Sequence, residues 1–320
     1  MGDAYYFIGA EYGARALQDL QEGNQNKYVS AYQLAYEKKA FPKWLIEYGT
    51  NILNSCEENA ILFVGGDSEF NPIQYMQVVK HYRNDVTVIP IALLNRLWYV
   101  KRHRDGFGRV LRKAPISLSD KQIMDMHPYK WDTLTIEIPI SKKIKKQLSL
   151  QQDAKMRWKI EPDLKSERRT YLSTERLVLA DIVETNQWKR PICFSLGCHP
   201  QTLAGLDKYF QFYGLVNKLL PVKTNGTGYE INPDKIEQII LNASNIRNLS
   251  DVNYHNMPRV SNILLNYHVA LSSLARYYYE RKQTQKVLKI VDFMQKHMKI
   301  KVLPVAENII GSIEKNLMKQ

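Results

Sequence analysis

The run Ala60-Ile61-Leu62-Phe63-Val64, cut off at once by Gly65-Gly66-Asp67, constrains this chain more than any other stretch. Five unbroken apolar residues have no polar face to turn to water. They predict a short strand covered on both sides, as in a parallel sheet. A helix from Pro72 to about Tyr82 follows, with Pro72 suited to a first helical position. After the turn at Asn84-Asp85 a second apolar run reaches from Val86 to Ile91. Strand, helix and strand in this order make one βαβ unit with a right-handed crossover.

The same signals extend the sheet. Ser173 to Asn186 predicts a helix that Ser173 caps and that Leu177, Leu179, Ala180, Ile182 and Val183 make apolar on one face. It leads into another buried strand, Pro191 to Ser195, and Leu215 to Val222 is a further strand. A helix from Asn95 to about Arg104 follows the second run, and a short one is expected at Asp120 to Met126. Thr133 to Ile138 and Met156 to Ile160 alternate like half-exposed strands, separated by a polar, lysine-rich stretch from Ser141 to Asp153.

Helical periodicity brackets this interior. Tyr5, Ile8, Tyr12 and Ala16, then Tyr32 and Ala35, predict a helical pair broken at Glu22-Gly23-Asn24, and a third helix runs from Lys43 to about Leu53. Toward the other end a helix through Ile236 and Ile240 precedes two more, Pro258 to about Arg281 and Thr284 to about Met298. Leu274, Ala275, Tyr278, Val287, Val291 and Met294 fall where a tetratricopeptide hairpin puts its packing residues. One such unit cannot cover its own outer face, so it should stack on Val305 to Ile313 and on the sheet. The expected fold is α/β: a Rossmann-like, mixed or mostly parallel sheet flanked by helices, with a C-terminal tetratricopeptide-like hairpin. Its segments are 1–55 (helical), 56–230 (α/β) and 231–320 (helical).

Several function classes fall away. The net charge of +13 attracts polyanions, anionic lipid surfaces or acidic protein faces. The basic residues are nonetheless spread over separate connections, Lys101 to Arg104, Arg109 to Lys113, Lys142 to Lys146 and Lys165 to Arg169. With no zinc finger, RRM-type aromatic pair or basic zipper, nucleic acid is not the expected partner. No apolar run approaches the ~18 residues of a membrane span, and the first ten residues are too polar for a secretory signal. Cys56 and Cys193 read as small buried hydrophobes, and Cys193 with Cys198 would pair only in an oxidising compartment. The histidines are scattered, and no His-Glu-x-x-His or Cys-x-x-Cys occurs, so neither metal nor cofactor is expected.

The candidate site lies where the first strand ends. Open α/β sheets bind ligands beyond the carboxyl ends of their strands, and Gly65, Gly66, Asp67, Ser68 and Glu69 occupy that turn. The glycines permit close backbone approach or a positive φ. Asp67 and Glu69 offer two carboxylates for hydroxyls, a metal or a proton, unless Asp67 merely satisfies backbone amides. The turn lacks the Lys-Ser/Thr pair of a phosphate loop. Asn95, Trp98 and Tyr99 follow the second strand at the same edge, an amide beside an aromatic platform. Arg190 either pairs with a carboxylate such as Asp67 or closes the preceding helix through Asn186.

Taken in order, these segments resemble a known family. Gly66, Asp67, Pro72 and Tyr75, then Leu93-Leu94-Asn95, Trp98-Tyr99 and Trp188-Lys189-Arg190-Pro191-Ile192, match its motifs. So do Tyr209, Gln211, Gly214, Leu215 and Pro221-Val222-Lys223. Gln74 stands where the family has Trp, and Tyr213 where it has Glu. The chain is similar, from about Trp44 to about Met298, to the soluble C-terminal region of large bacterial membrane proteins resembling protein O-mannosyl-transferases of the GT-C superfamily. The resemblance implies a domain outside the cytoplasmic membrane, with a cytoplasmic location as the alternative. It implies no glycosyl transfer, because that chemistry belongs to the membrane-spanning part. The expected function is a non-catalytic binding or accessory domain recognising a polypeptide or glycan, or docking on a membrane protein complex. The alternative is an enzyme of glycan processing using Asp67 and Glu69 as an acid/base or metal pair.

Overall fold

The computed structural model describes residues 4–226, 228, 230–252, 262–297, 311 and 315. Helices α1 (Ala4–Glu22) and α2 (Gln25–Glu37) pack against each other across the turn at Gly23. Asn24 caps α2 by accepting from the Lys27 N–H. Helix α3 (Lys43–Ser55) leads into β1 (Ile61–Val64), which is buried along its whole length. Helix α4 (Asp67–Val78) begins at Asp67, not at Pro72, and ends before Tyr82. Gly66 is extended, and the chain passes from strand to helix through Gly65 and Gly66 alone. Asp67 and Glu69 then occupy the first turn, where free N–H groups favour negative charge. Pro72 lies inside the helix and deprives the Ser68 carbonyl of its usual partner. Strand β2 (Thr87–Pro90) is followed by a 3₁₀ turn, Ile91–Asn95, and only then by α5 (Leu97–Asp105).

The middle of the chain is more irregular. A capping box of Ser119 and Gln122 starts α6 (Asp120–Met124). Next come β3 (Tyr129–Lys130), β4 (Leu134–Pro139), α7 (Lys142–Gln147) and β5 (Lys155–Ile160). Strands β4 and β5 pair antiparallel, and β5 turns Met156, Trp158 and Ile160 inward as its alternation requires. Strands β6 (Leu164–Ser166) and β7 (Arg169–Leu172) join β3 in a second small sheet, ordered β3-β7-β6. That sheet carries no apolar pattern, and the sequence does not announce it.

Helix α8 (Thr174–Asn186) has Ser173 at its cap position, but the Ser173 hydroxyl makes no capping bond. The Ser173 N–H donates to Asp163 instead. Strand β8 (Ile192–Ser195) follows, then β9 (Phe210–Tyr213) and β10 (Val216–Leu219). Helix α9 (Pro233–Ile240) is capped by Asn232. Helices α10 (Leu265–Glu280) and α11 (Thr284–His297) pack together and bury Leu274, Ala275, Tyr278, Val287, Val291 and Met294. The expected start at Pro258 and the stacking on Val305 to Ile313 fall, Gly311 apart, outside the described residues.

The main sheet is mixed, in the order β2-β1-β8-β10-β9. The three strands β2, β1 and β8 run parallel, with Leu62 opposite Val88 on one side and Cys193 on the other. Strands β10 and β9 extend the sheet antiparallel. Helices flank this sheet, α3 packing on α4 and on α9, and α8 on the turn after β2. A single cluster of buried apolar residues runs from Ala16 in α1 to Met294 in α11, so all three segments share one core.

Candidate functional site

Because β1, β2 and β8 are parallel, the residues after Val64, Pro90 and Ser195 leave the sheet at one edge. There the turns after β1 and β8 close on each other. A Cβ added at Gly65 would sit 2.1 Å from the Gly197 carbonyl oxygen, and one at Gly197 would sit 2.5 Å from Glu69 Oε2. Gly66 meets nothing within 4 Å and is extended, so only Gly65 of the pair is required by close approach.

Glu69 lies beneath this closure, 3% exposed. Tyr48 donates its hydroxyl to Glu69 Oε1 at 2.9 Å, and Ser195 donates to Oε2 at 2.5 Å. The Gly65 N–H reaches Oε2 at 3.5 Å, and the Gly197 backbone also donates. Asn266 of α10 donates to the Tyr48 hydroxyl at 2.7 Å, so the network ties α3, α4, β8 and α10 together. Burial pushes the Glu69 carboxyl up, and the donors from Ser195 and Tyr48 oppose the shift. Cys198 sits beside them, its thiol near the Phe63 carbonyl and also pushed up by burial. Cys56, Cys193 and Cys198 are all free and buried.

Asp67 is exposed at the start of α4, with enough protein around it to raise its carboxyl. Two carboxylates acting on one substrate or metal must both face an open site. Glu69 faces donors of its own chain, so the structure does not bring Asp67 and Glu69 into one open site. Ser68 is half-buried beside them. The residues that hold Glu69, namely Tyr48, Ser195 and Gly197, carry no signal in spacing. Ser195 reads only as the polar end of an apolar run.

An open recess is found beyond β2. Asn95, Leu97 and Trp98 line a depression of about 810 Å³ with Gln21, Arg96, Lys101, Asp120, Ile123 and Met124. Trp98 is half-buried, Asn95 is exposed, and Met124 is 68% exposed. Lys101 bridges to Asp120 at 2.7 Å, and Arg104 contacts the same carboxylate. Tyr99 belongs to the core instead, fully buried and edge-on to both Trp98 and His103. Asp67 and Glu69 do not line this recess.

Arg190 lies at the opposite edge of the sheet. Its guanidinium donates to the carbonyls of Asn59, Ala60 and Lys113 and to Thr87 Oγ1 at 2.6–3.1 Å. Asn59, Ala60 and Thr87 stand at the beginnings of β1 and β2 and Lys113 in the connection after α5, whereas Asp67 follows the end of β1. The two therefore do not pair. Asn186 does bond both the N–H and the carbonyl of Arg190, which closes α8 as the sequence allowed. Burial lowers Arg190 to about 10, so it stays charged near neutral pH. Arg83 ties the same edge, donating to the carbonyls of Leu53, Cys56 and Glu57 and to Asp85. Asp85 is held down near 2 by Arg83.

Among the described residues no group of three His, Cys, Asp or Glu side chains is placed to hold a metal, and no helix is long and apolar enough to cross a membrane. What fold and site define is a mixed α/β domain whose turns after β1 and β8 close on each other, with an open recess beyond β2 at the same edge of the sheet. The chain belongs to the TMEM260-associated domain 2 family, whose profile matches residues 45–124 and 111–238. Those stretches together reach from residue 45 to residue 238, more than half of the chain. No curated protein and no solved structure matches it.

Proposed function

We propose that this chain is a non-catalytic binding or accessory domain that recognises a polypeptide or glycan at the recess beyond β2. One observation carries the reading: Trp98 stands half-exposed beside Asn95, over a wall that includes Ile123 and the exposed Met124. An aromatic face with an amide orients a ligand, and methionine adapts to varied apolar side chains. The walls favour a polypeptide, because apolar side chains outnumber free hydrogen-bonding groups. Membership of a TMEM260-associated family supports an accessory role, TMEM260 being an O-mannosyl-transferase-like membrane protein. On this reading the domain works outside the cytoplasm, its sheet is Rossmann-like and its last helical pair is tetratricopeptide-like.

Thermal melts with candidate acceptor peptides and glycans test the proposal. A ligand held here should raise the melting temperature of the whole chain as its concentration passes Kd, and Trp98→Ala should remove that rise. If peptides and glycans all leave the melt unmoved, or the rise survives in Trp98→Ala, the recess is not the binding site.

A further inference from the structure

A second cleft, independent of the Trp98 recess, opens at the edge that Arg190 and Arg83 tie together. It holds about 620 Å³, a volume within the usual range of ligand pockets. Its apolar walls come from Ile144 and Leu148 at α7, from Trp188, and from Leu220 and Pro221 after β10. Trp188 is set into the wall by an unusual backbone. Gln187 and Trp188 are consecutive non-glycine residues with φ of 45° and 62°, a conformation held only where the surroundings impose it. The indole N–H is buried without a partner.

The rim is basic. Lys143 and Lys189 line the cleft, are exposed, and make no ion pair with any described residue. The acidic wall residue, Glu57, is already bridged to Lys218 at 2.7 Å. Lys142 and Lys146 add further exposed charge on α7. The cleft thus presents unbalanced positive charge over apolar walls, and its complement is an anionic group carried on an apolar stem. A bilayer surface fits less well, since membrane-binding faces project their apolar side chains. Here Ile144, Leu148 and Trp188 are half-buried and Leu220 and Pro221 are buried, so none stands out as an anchor.

We propose that this cleft seats an acidic peptide segment, its carboxylates against Lys143 and Lys189 and an apolar side chain against Trp188 and Leu220. The assignment rests on charge complementarity and on the inward turn of every apolar wall residue. It makes α7 a basic flap over the edge of the sheet, with a role distinct from that of the recess at the other edge.

Fluorescence anisotropy of a fluorescein-labelled peptide alternating aspartate and leucine, titrated with the whole chain, tests this. Saturable binding that weakens in high salt is expected. The double variant Lys143→Glu/Lys189→Glu, which changes only exposed side chains, should lower affinity by about tenfold or more. Trp98→Ala should leave it unchanged. The proposal is overturned if the aspartate-leucine peptide does not bind, or if its binding survives the double charge reversal. It is equally overturned if the chain sediments with phosphatidylserine vesicles through those two lysines while ignoring the peptide.

Discussion

Ser195 donates its hydroxyl to Glu69 across the adjoining ends of β8 and α4, joining residues 126 positions apart in the chain. A buried carboxylate is stable there only because Tyr48, Gly65 and Gly197 complete its hydrogen bonds. Removing the acceptor should therefore cost more than removing any one donor. Glu69→Ala strands several buried donors and should destabilise the fold by about 3 kcal/mol, with Ser195→Ala nearer 1 kcal/mol, in urea unfolding. Equal effects from the two variants would contradict the network.

The same carboxyl gives a pH dependence of defined sign. Its folded-state pKa lies above the ordinary glutamate value. The native state therefore holds the proton more tightly than the unfolded chain. Stability from this group is fully present below the unfolded pKa and is lost as pH rises through the folded one. Glu69→Gln removes the titration. Urea midpoints followed upward from about pH 4 should fall more for the native chain than for Glu69→Gln. Parallel curves would show that another group controls the slope.

The two glycines after β1 should behave differently. Gly65→Ala drives a methyl into the Gly197 carbonyl and should cost several kcal/mol, on the order of 3, by forcing the turns apart. Gly66→Ala enters open space from an extended backbone and should shift stability by under about 0.5 kcal/mol. A urea melt of each variant checks the pair, and similar losses would show that the two turns do not meet at Gly65.

At the opposite edge, Arg190→Ala should expose how far one side chain holds three segments. It frees the carbonyls of Asn59, Ala60 and Lys113 together with Thr87, and a loss of about 3 kcal/mol is expected. Arg190→Lys should recover only part of that, since an ammonium cannot reproduce the planar fork. Full recovery with lysine would mean that charge alone suffices.

Gln187 ends α8 in the left-handed conformation, at φ 45° and ψ 40°. A glycine carries no Cβ penalty there, so Gln187→Gly should stabilise the chain by up to about 1 kcal/mol. Calorimetric melting of the variant measures it. A lowered melting temperature would show that the Gln187 side chain holds the turn.

What could be read from residues alone follows from what those residues face. Ile61–Val64 and Thr87–Pro90 are covered on both sides, so each wrote its burial as a short apolar run, broken in the second only by Thr87, and their parallel pairing is as expected. The alternation of β5 likewise mirrors one covered face. Phe210–Tyr213 is half-buried throughout, so no period marks it as a strand. Strand β6 lies in water throughout and β7 buries only Leu172, so their side chains record little of the backbone. Pro72 misled because proline favours helix starts, whereas here Gly66 and the acidic first turn set the boundary. The position of Asn95 and Trp98 beyond the end of β2 was legible from their place in the chain. The fate of Glu69 was not, since its partners Tyr48 and Ser195 come from distant segments.

The unbroken core from Ala16 to Met294 has a consequence for handling the molecule. Asn51 of α3 donates to the Asn245 carbonyl and to the Tyr267 hydroxyl, so the last helices are seated on the first ones. Severing the backbone after β10 should leave two fragments that co-elute under native conditions and come apart only in denaturant. Trimming either helical end would strip cover from that shared core instead of releasing an independent unit, and such truncations should precipitate.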